Sequence, residues 1–459
     1  MLKTKTLKSC LNNSYSYNMH NKKHGLFFLL ATICCQCLNA AYLPISYTNT
    51  AYESNIKTVL LTQAGGLERF PVIDLGSNQQ LHIEFDDMMP ESDNYQYTFI
   101  HCSSDWKPSN LKPNEYLTGN LFLNINNYSF STTTFQVYTH YQINFPENDM
   151  KPKLSGNYIL KVYRNFDEND LILTRRFMVV DDKFVITPSV KVATNPNVRF
   201  NSQEIDFSVN MGDNIVPNPM MDVKATIMQN LCWDNAIFDL KPRFINGKIL
   251  DYNYETGNLF LGGNEFRYFD IRNLRYLSPN VRRKYDENNV KHAVLYADAI
   301  RSNLPYVQTI DFNGKVVIDN RDGIAKAEIG ADYAAVHFNL ISDQLPKDVY
   351  IFGELSDWQL KEDFKMEWNP KSLQYEKMVM LKQAYYNYWY VMPGANNVAD
   401  VSSTEGNFSN TENDYQILLY NKNQFMQYDE LLGVISSNSS AKKWVKKLKS
   451  YGPTMKSTS

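Results

Sequence analysis

"GNYILKVYRNFDENDLILTRRFMVV", Gly156 to Val180, is the stretch that decides how this chain folds. Tyr158, Leu160 and Val162 share one face of an outgoing strand, "NFDEND" supplies turn formers, and Leu171 to Val180 runs back. Successive side chains leave a strand on opposite faces, so period-two patterning over this length predicts an antiparallel hairpin.

The pattern recurs on both sides. "QLHIEFDDM" (Gln80 to Met88) alternates Leu81, Ile83 and Phe85 with polar neighbours. "TTTFQVYTHYQINF" (Thr132 to Phe145) sets Phe135, Val137, Thr139, Tyr141 and Ile143 on one face. "EIDFSVNM" and "DVKATIMQN" read as strands of a second unit, and "ADYAAVHFNLIS", "DVYIFGELSDW", "QYEKMVML" and "YYNYWYVM" as four strands of a third. Asn313-Gly314 and Asp322-Gly323 are tight-turn signals between β-rich runs. The expected fold is all-β, with tandem antiparallel β-sandwich (immunoglobulin-like) domains. The expected divisions are a leader at 1–41, a first sandwich at 42–183, a second β-rich domain at 184–325, a third early-set domain at 326–435 and a basic tail at 436–459.

Composition narrows the function classes. A chain of 459 residues exceeds what one core organises, and 31 tyrosines against 19 glycines suit broad β surfaces. A formal net charge of -3 gives no electrostatic footing for nucleic acid. Lys22 and Lys23 precede the apolar run Leu26 to Cys35, with small residues at Ala40 and Ala41. That is the layout of a signal peptide, with Met19 as an alternative start, and it predicts an exported protein. The residues ahead of Cys34 and Cys35 do not suit a lipoprotein site. No later apolar stretch reaches membrane-spanning length, so no transmembrane segment is expected in the mature chain. Cys10, Cys34, Cys35 and Cys37 fall in the leader; Cys102 and Cys232 are left, too far apart for a zinc site, and read as two buried thiols or, alternatively, as one pair.

No catalytic, cofactor-binding or metal-binding residues can be nominated. His82, His101, His140, His292 and His337 stand alone, without H-x-H or H-E-x-x-H spacing. There is no G-x-S-x-G elbow, P-loop or dinucleotide fingerprint. "FDDMMPESD" and "NFDENDL" lack the ligand order of a calcium loop and sit where solvated turns are expected. The tail from Ala441 carries six lysines and no acid, either a basic amphipathic helix for anionic lipid or a partner, or a frayed end.

Two segments invite a binding role. "GGNEFRYFDIRNLRYLS" (Gly262 to Ser278) gathers four aromatics, three arginines and two carboxylates behind a glycine pair. Arg267, Arg272 and Arg275 are its candidate docking residues, since a guanidinium hydrogen-bonds while its stem packs. Pairing within the chain to Glu265 or Asp270 uses the same chemistry. Gly353 and Trp358 stand at the places of the Gly-x-x-x-x-Trp turn that this segment shares, by resemblance, with glycogen-binding early-set modules. There the tryptophan stacks on sugar rings, although a lone Trp can equally cap a core.

"INNYSFSTTTFQVYTHYQINFP", "LSGNYILKVYRNFDENDLILTRRFMVV", "GGNEFRYFDIRNLRYLS", "DFNGKVVI", "ADYAAVHFNL" and "YDELLGV" occur together, in an order that resembles one family from Tyr42 to Val434. The family it resembles is that of the plug proteins of the type nine secretion system of Bacteroidota. The resemblance implies a periplasmic, non-enzymatic protein without cofactor, peripheral to the outer membrane. It also implies a partner, the translocon β-barrel, whose periplasmic opening the plug occludes. The alternative is a periplasmic carbohydrate-binding protein that uses Trp358.

Overall fold

The computed structural model describes residues 43–440 apart from Leu67, Pro90 and Ile324; the leader and the lysine tail lie outside the described residues. The opening hairpin forms as Gly156–Arg164 and Asp167–Val180, with Tyr158 opposite Phe177 and Leu160 opposite Arg175. Its turn is tighter than the sequence suggests. Only Asn165 and Phe166 turn, both with positive φ as a two-residue hairpin loop requires, and Asp167 to Asp170 belong to the returning strand.

Around the hairpin a six-stranded sheet adds Thr50–Ala51, Val72–Asp74, Tyr95–Cys102 and Leu123–Asn124. It packs on a four-stranded sheet of Ile56–Gln63, Leu81–Asp87, Thr139–Phe145 and Tyr128–Phe130. Phe85, Tyr141, Phe145, Tyr97, Phe99, Tyr158, Leu160 and Phe177 fill the space between them. The hairpin's other face is not solvated. Ile159, Met178 and Val180 are buried against Met228, Leu418, Tyr420 and Leu431 of the second sandwich. Cover on both faces explains why "YILKVY" carries so few polar residues.

The strand expected over Thr132 to Phe145 is shorter, beginning at Thr139. Residues 131–138 form a loop in which the Ser131 hydroxyl accepts the Tyr138 N–H (3.0 Å). Asp332 accepts the backbone N–H groups of Phe135 (2.8 Å) and Gln136 (3.0 Å). That distant carboxylate takes the donors a strand partner would have used, and leaves Phe135 and Val137 exposed.

Pairing beyond residue 183 does not follow chain order. The second sandwich sets Val185–Val192, Ser202–Asn210, Phe244–Asn246, Ile249–Asp251 and Leu259–Leu261 against a sheet ordered Cys232–Leu240, Val223–Gln229, Asp414–Asn423 and Tyr428–Asn438. Its last two strands come from the far end of the chain. The third unit is an eleven-stranded curled sheet, into which Arg267–Asp270 and Val316–Ile318 enter beside Ala384–Pro393. Val290–Leu295 runs parallel to Tyr333–Ile341 there. Residues 267–318 thus pair with the third unit and 414–438 with the second, across the division expected at 325/326. Apolar alternation marks a strand but not its partner, so the crossing was hidden. Among the described residues no helix is long and apolar enough to cross a membrane.

Candidate docking surface around Gly262–Ser278

The segment is a seam. It leaves the second sandwich after Leu259–Leu261 and joins the third unit at Arg267–Asp270. The glycines make the crossing: a Cβ on Gly262 would stand 2.1 Å from the Phe408 carbonyl oxygen. Gly263 has φ +63 and lies against the Trp389 ring. Phe266 then stacks on Trp389 at 3.7 Å and 9°. Phe269, Ile271 and Leu274 enter the third core.

The three arginines fare differently. Arg267 is buried. It donates to Glu405 (2.9 Å), Asp298 (2.7 Å) and the Ala299 carbonyl (2.7 Å), and lies over the Tyr390 ring. Glu405, fully buried, also accepts from Arg301 (2.6 Å) and the Tyr390 N–H (2.9 Å). Burial alone would raise the Glu405 carboxyl, but Arg267 and Arg301 hold it below its usual range. Arg272 chelates Asp270 (2.6 and 3.0 Å) over the Tyr385 ring. Arg275 alone points outward, in a loop with Tyr276 (73% exposed) and Leu277 (68%). Asn273 Oδ1 accepts the N–H groups of Arg275 (3.0 Å) and Tyr276 (2.7 Å), and Lys284 Nζ donates to the carbonyls of Asn273 and Tyr276 (both 2.6 Å). The loop is therefore fixed before anything touches it. Arg282 and Arg283, on the strand that follows, are exposed as well.

Trp358 is 8% exposed and packs edge-on to Phe266 (5.9 Å) and Phe352 (5.6 Å), its indole against Gly314. The Gly-x-x-x-x-Trp turn is present, closed by the Trp358 N–H on the Gly353 carbonyl (2.9 Å). Its tryptophan faces the joint between second and third units and lines a cleft of about 370 Å³ with Trp389, Phe352 and Val401. An open sugar platform needs a solvated ring face, which Trp358 does not offer.

Sequence reasoning missed the joint between first sandwich and third unit. Asp86, fully buried, accepts from Lys382 (2.6 Å), His140 Nδ1 (2.7 Å) and Tyr333 (2.7 Å). Burial pushes its carboxyl up, yet Lys382 and His140 together hold it below the usual range. Nothing local announces this, for Asp86 and Lys382 lie 296 residues apart. Among the other histidines, His292 Nδ1 meets His337 Nε2 at 2.9 Å, and among the described residues no three His, Cys, Asp or Glu side chains gather as a metal site. Cys102 and Cys232 are unbonded and buried.

Residues 56–181 match the family described as type 9 secretion system plug protein, first domain. The chain is also similar to a hypothetical protein from Parabacteroides merdae solved by crystallography: 32% identity, TM-score 0.83, covering 86% of this chain and all of that one. No curated protein matches it.

Proposed function

Given that this chain belongs to the plug protein family of the type 9 secretion system, and so to that secretion process, we propose that it is a non-enzymatic periplasmic plug that occludes the periplasmic opening of the outer-membrane translocon barrel. The observation that carries this reading is that the units of the body are joined through buried contacts. The three units share buried joints, and the first–third joint is closed by the fully enclosed Asp86–Lys382–His140 cluster. A pore wide enough for folded cargo leaks unless a rigid body fills its mouth, and a hinged array would not hold it shut.

The Arg275–Tyr276–Leu277 loop is the docking element of this proposal: an exposed cation followed by an exposed tyrosine and leucine, Arg and Tyr being the types enriched at interface centres. Arg272, bonded to Asp270, anchors the chain just ahead of that loop, while Arg267 is spent on Glu405 and Asp298. Trp358 enters as a packing residue.

The test is gentle detergent extraction of the outer membrane followed by pull-down on this chain. The translocon barrel is expected with the native protein and strongly reduced with Arg275→Glu. Failure to recover the barrel with the native protein sinks the plug reading. Equal recovery with Arg275→Glu sinks only the loop assignment. Deleting the protein should raise entry of bulky antibiotics only while the barrel is present.

A further inference from the structure

One end of the second sandwich carries three connections that hydrogen bonds tie together. Residues 211–218 follow the strand Ser202–Asn210 and lead into a single helical turn, Pro219–Asp222. Residues 247–248 turn between Phe244–Asn246 and Ile249–Asp251, and residues 424–427 close the hairpin of Asp414–Asn423 and Tyr428–Asn438. The Met211 N–H reaches the Lys248 carbonyl (3.0 Å), Lys248 Nζ meets Asp213 (2.6 Å), and Gln424 donates to Asp222 (2.7 Å).

This end is tipped with apolar side chains. Ile215 is 91% exposed, Met221 66% and Phe425 95%. The backbone beneath each is fixed. Val216 packs on the second core while Ile215 beside it faces away, and Asn214 Nδ2 donates to the carbonyls of Lys183 (3.0 Å) and Met211 (2.8 Å). Lys241 Nζ holds the Met221 carbonyl (2.8 Å). Asn423 Oδ1 accepts the N–H groups of Phe425 (3.0 Å) and Met426 (2.9 Å). A lone exposed apolar residue is ordinary on a protein surface; three held outward at one end mark a contact site.

The charges around them are matched. Lys248 meets Asp213, Lys183 meets Asp181 (2.5 Å) and Lys241 meets Asp239 (3.5 Å). Arg243 and Lys422 donate to the carbonyls of Asn253 (2.7 Å) and Gln427 (3.0 Å). A balanced rim gives no purchase to a strongly charged partner. Side chains this exposed project singly, and a protein partner would need a hollow for each. The apolar layer beneath lipid headgroups takes them without complementary shape.

We propose that this end of the second sandwich is a lipid anchor, where Ile215, Met221 and Phe425 enter the headgroup–acyl boundary of a zwitterionic phospholipid surface. The inference stands apart from the plug reading, since it needs no barrel.

Sedimentation with phosphatidylcholine vesicles tests it, on the chain from Leu43 onward, which holds every described residue. The native chain should partition to the vesicles. A variant with Ile215→Ser, Met221→Ser and Phe425→Ser should partition at least about tenfold less, because affinity follows the apolar area that enters the bilayer. All three positions are exposed, so its melting temperature should stay native. Serines at Leu121, Phe122 and Phe166, exposed on the first sandwich, should leave partitioning as it was. Raising salt from about 0.1 to 1 M shortens the screening length from about 10 to 3 Å and should change partitioning by less than about twofold. No partitioning of the native chain overturns the proposal, as does equal partitioning of the native chain and the tip variant. An equal loss in the first-sandwich variant overturns it too, and so does binding that requires anionic phospholipid and fades in salt.

Discussion

Arg175 and Arg176 are neighbours on one strand and serve opposite joints. Arg175 turns toward the third unit and meets Asp357 (3.3 Å) near the Asp86–Lys382 cluster. Arg176 turns toward the second sandwich, its guanidinium over Trp106 (4.5 Å) and Trp233 (5.2 Å), amid Met178, Met228, Leu418 and Tyr420. Burial pushes the Arg176 guanidinium down to about 10. One joint is thus closed by paired charges and the other by apolar area with one stacked cation. The first fails abruptly when a partner is lost, since an uncompensated buried charge is costly. The second degrades with the volume removed.

The largest expected effect breaks the charged joint. Asp86→Ala leaves Lys382 buried without its carboxylate and should cost about 3–5 kcal/mol in a denaturant titration. A cost below about 1 kcal/mol would mean that the joint is hydrated or loose. On the apolar side, Leu418→Ala should cost about 3 kcal/mol, by lost transfer energy and a residual cavity.

Acidity separates the charged joint from the seam. Asp86 has a folded pKa below its ordinary value, so its contribution is present above that value and is lost as pH falls below about 4. Glu265 and Asp311 are raised, to about 7 and about 6, burial being the main cause in each. Their contribution is present below the ordinary carboxylate range and is lost as pH rises through those values. Thermal scans should therefore show two declines of opposite sign, one below about pH 4 and one between about pH 4.5 and 7. A flat profile across the upper window would refute the raised pair. The smallest effect on stability belongs to Arg275→Glu, within about 0.5 kcal/mol because the side chain is exposed, though it should strongly reduce barrel recovery.

How far the sequence was readable follows from where partners lie. The Gly156–Val180 hairpin was legible because its two strands are adjacent and its alternation long. The glycine pair at 262–263 signals a bend, but nothing near it in sequence tells that Arg267 turns in to Glu405, 138 residues away. Arg275 looked no different from Arg267, since exposure depends on the fold around each. The Gly353–Trp358 turn was recognisable, but which way its ring faces depends on Gly314 and Phe266, contacts that spacing does not encode.

The return of Asp414–Asn438 to the second sandwich has a consequence for the order of assembly. Half of that unit's second sheet is made of the chain's last strands, and Leu418, Tyr420 and Leu431 on the same hairpin also seal the joint to the first sandwich. Neither can close until residues 414–438 have arrived, whatever the earlier residues have done. Vectorial synthesis thus delivers this hairpin long after its partners, and non-local pairing of this kind is slow. A chain that stalls before residue 414 leaves an unpaired edge at Val223–Gln229 and an open joint, so an incomplete molecule exposes itself to proteolysis instead of passing as a finished one.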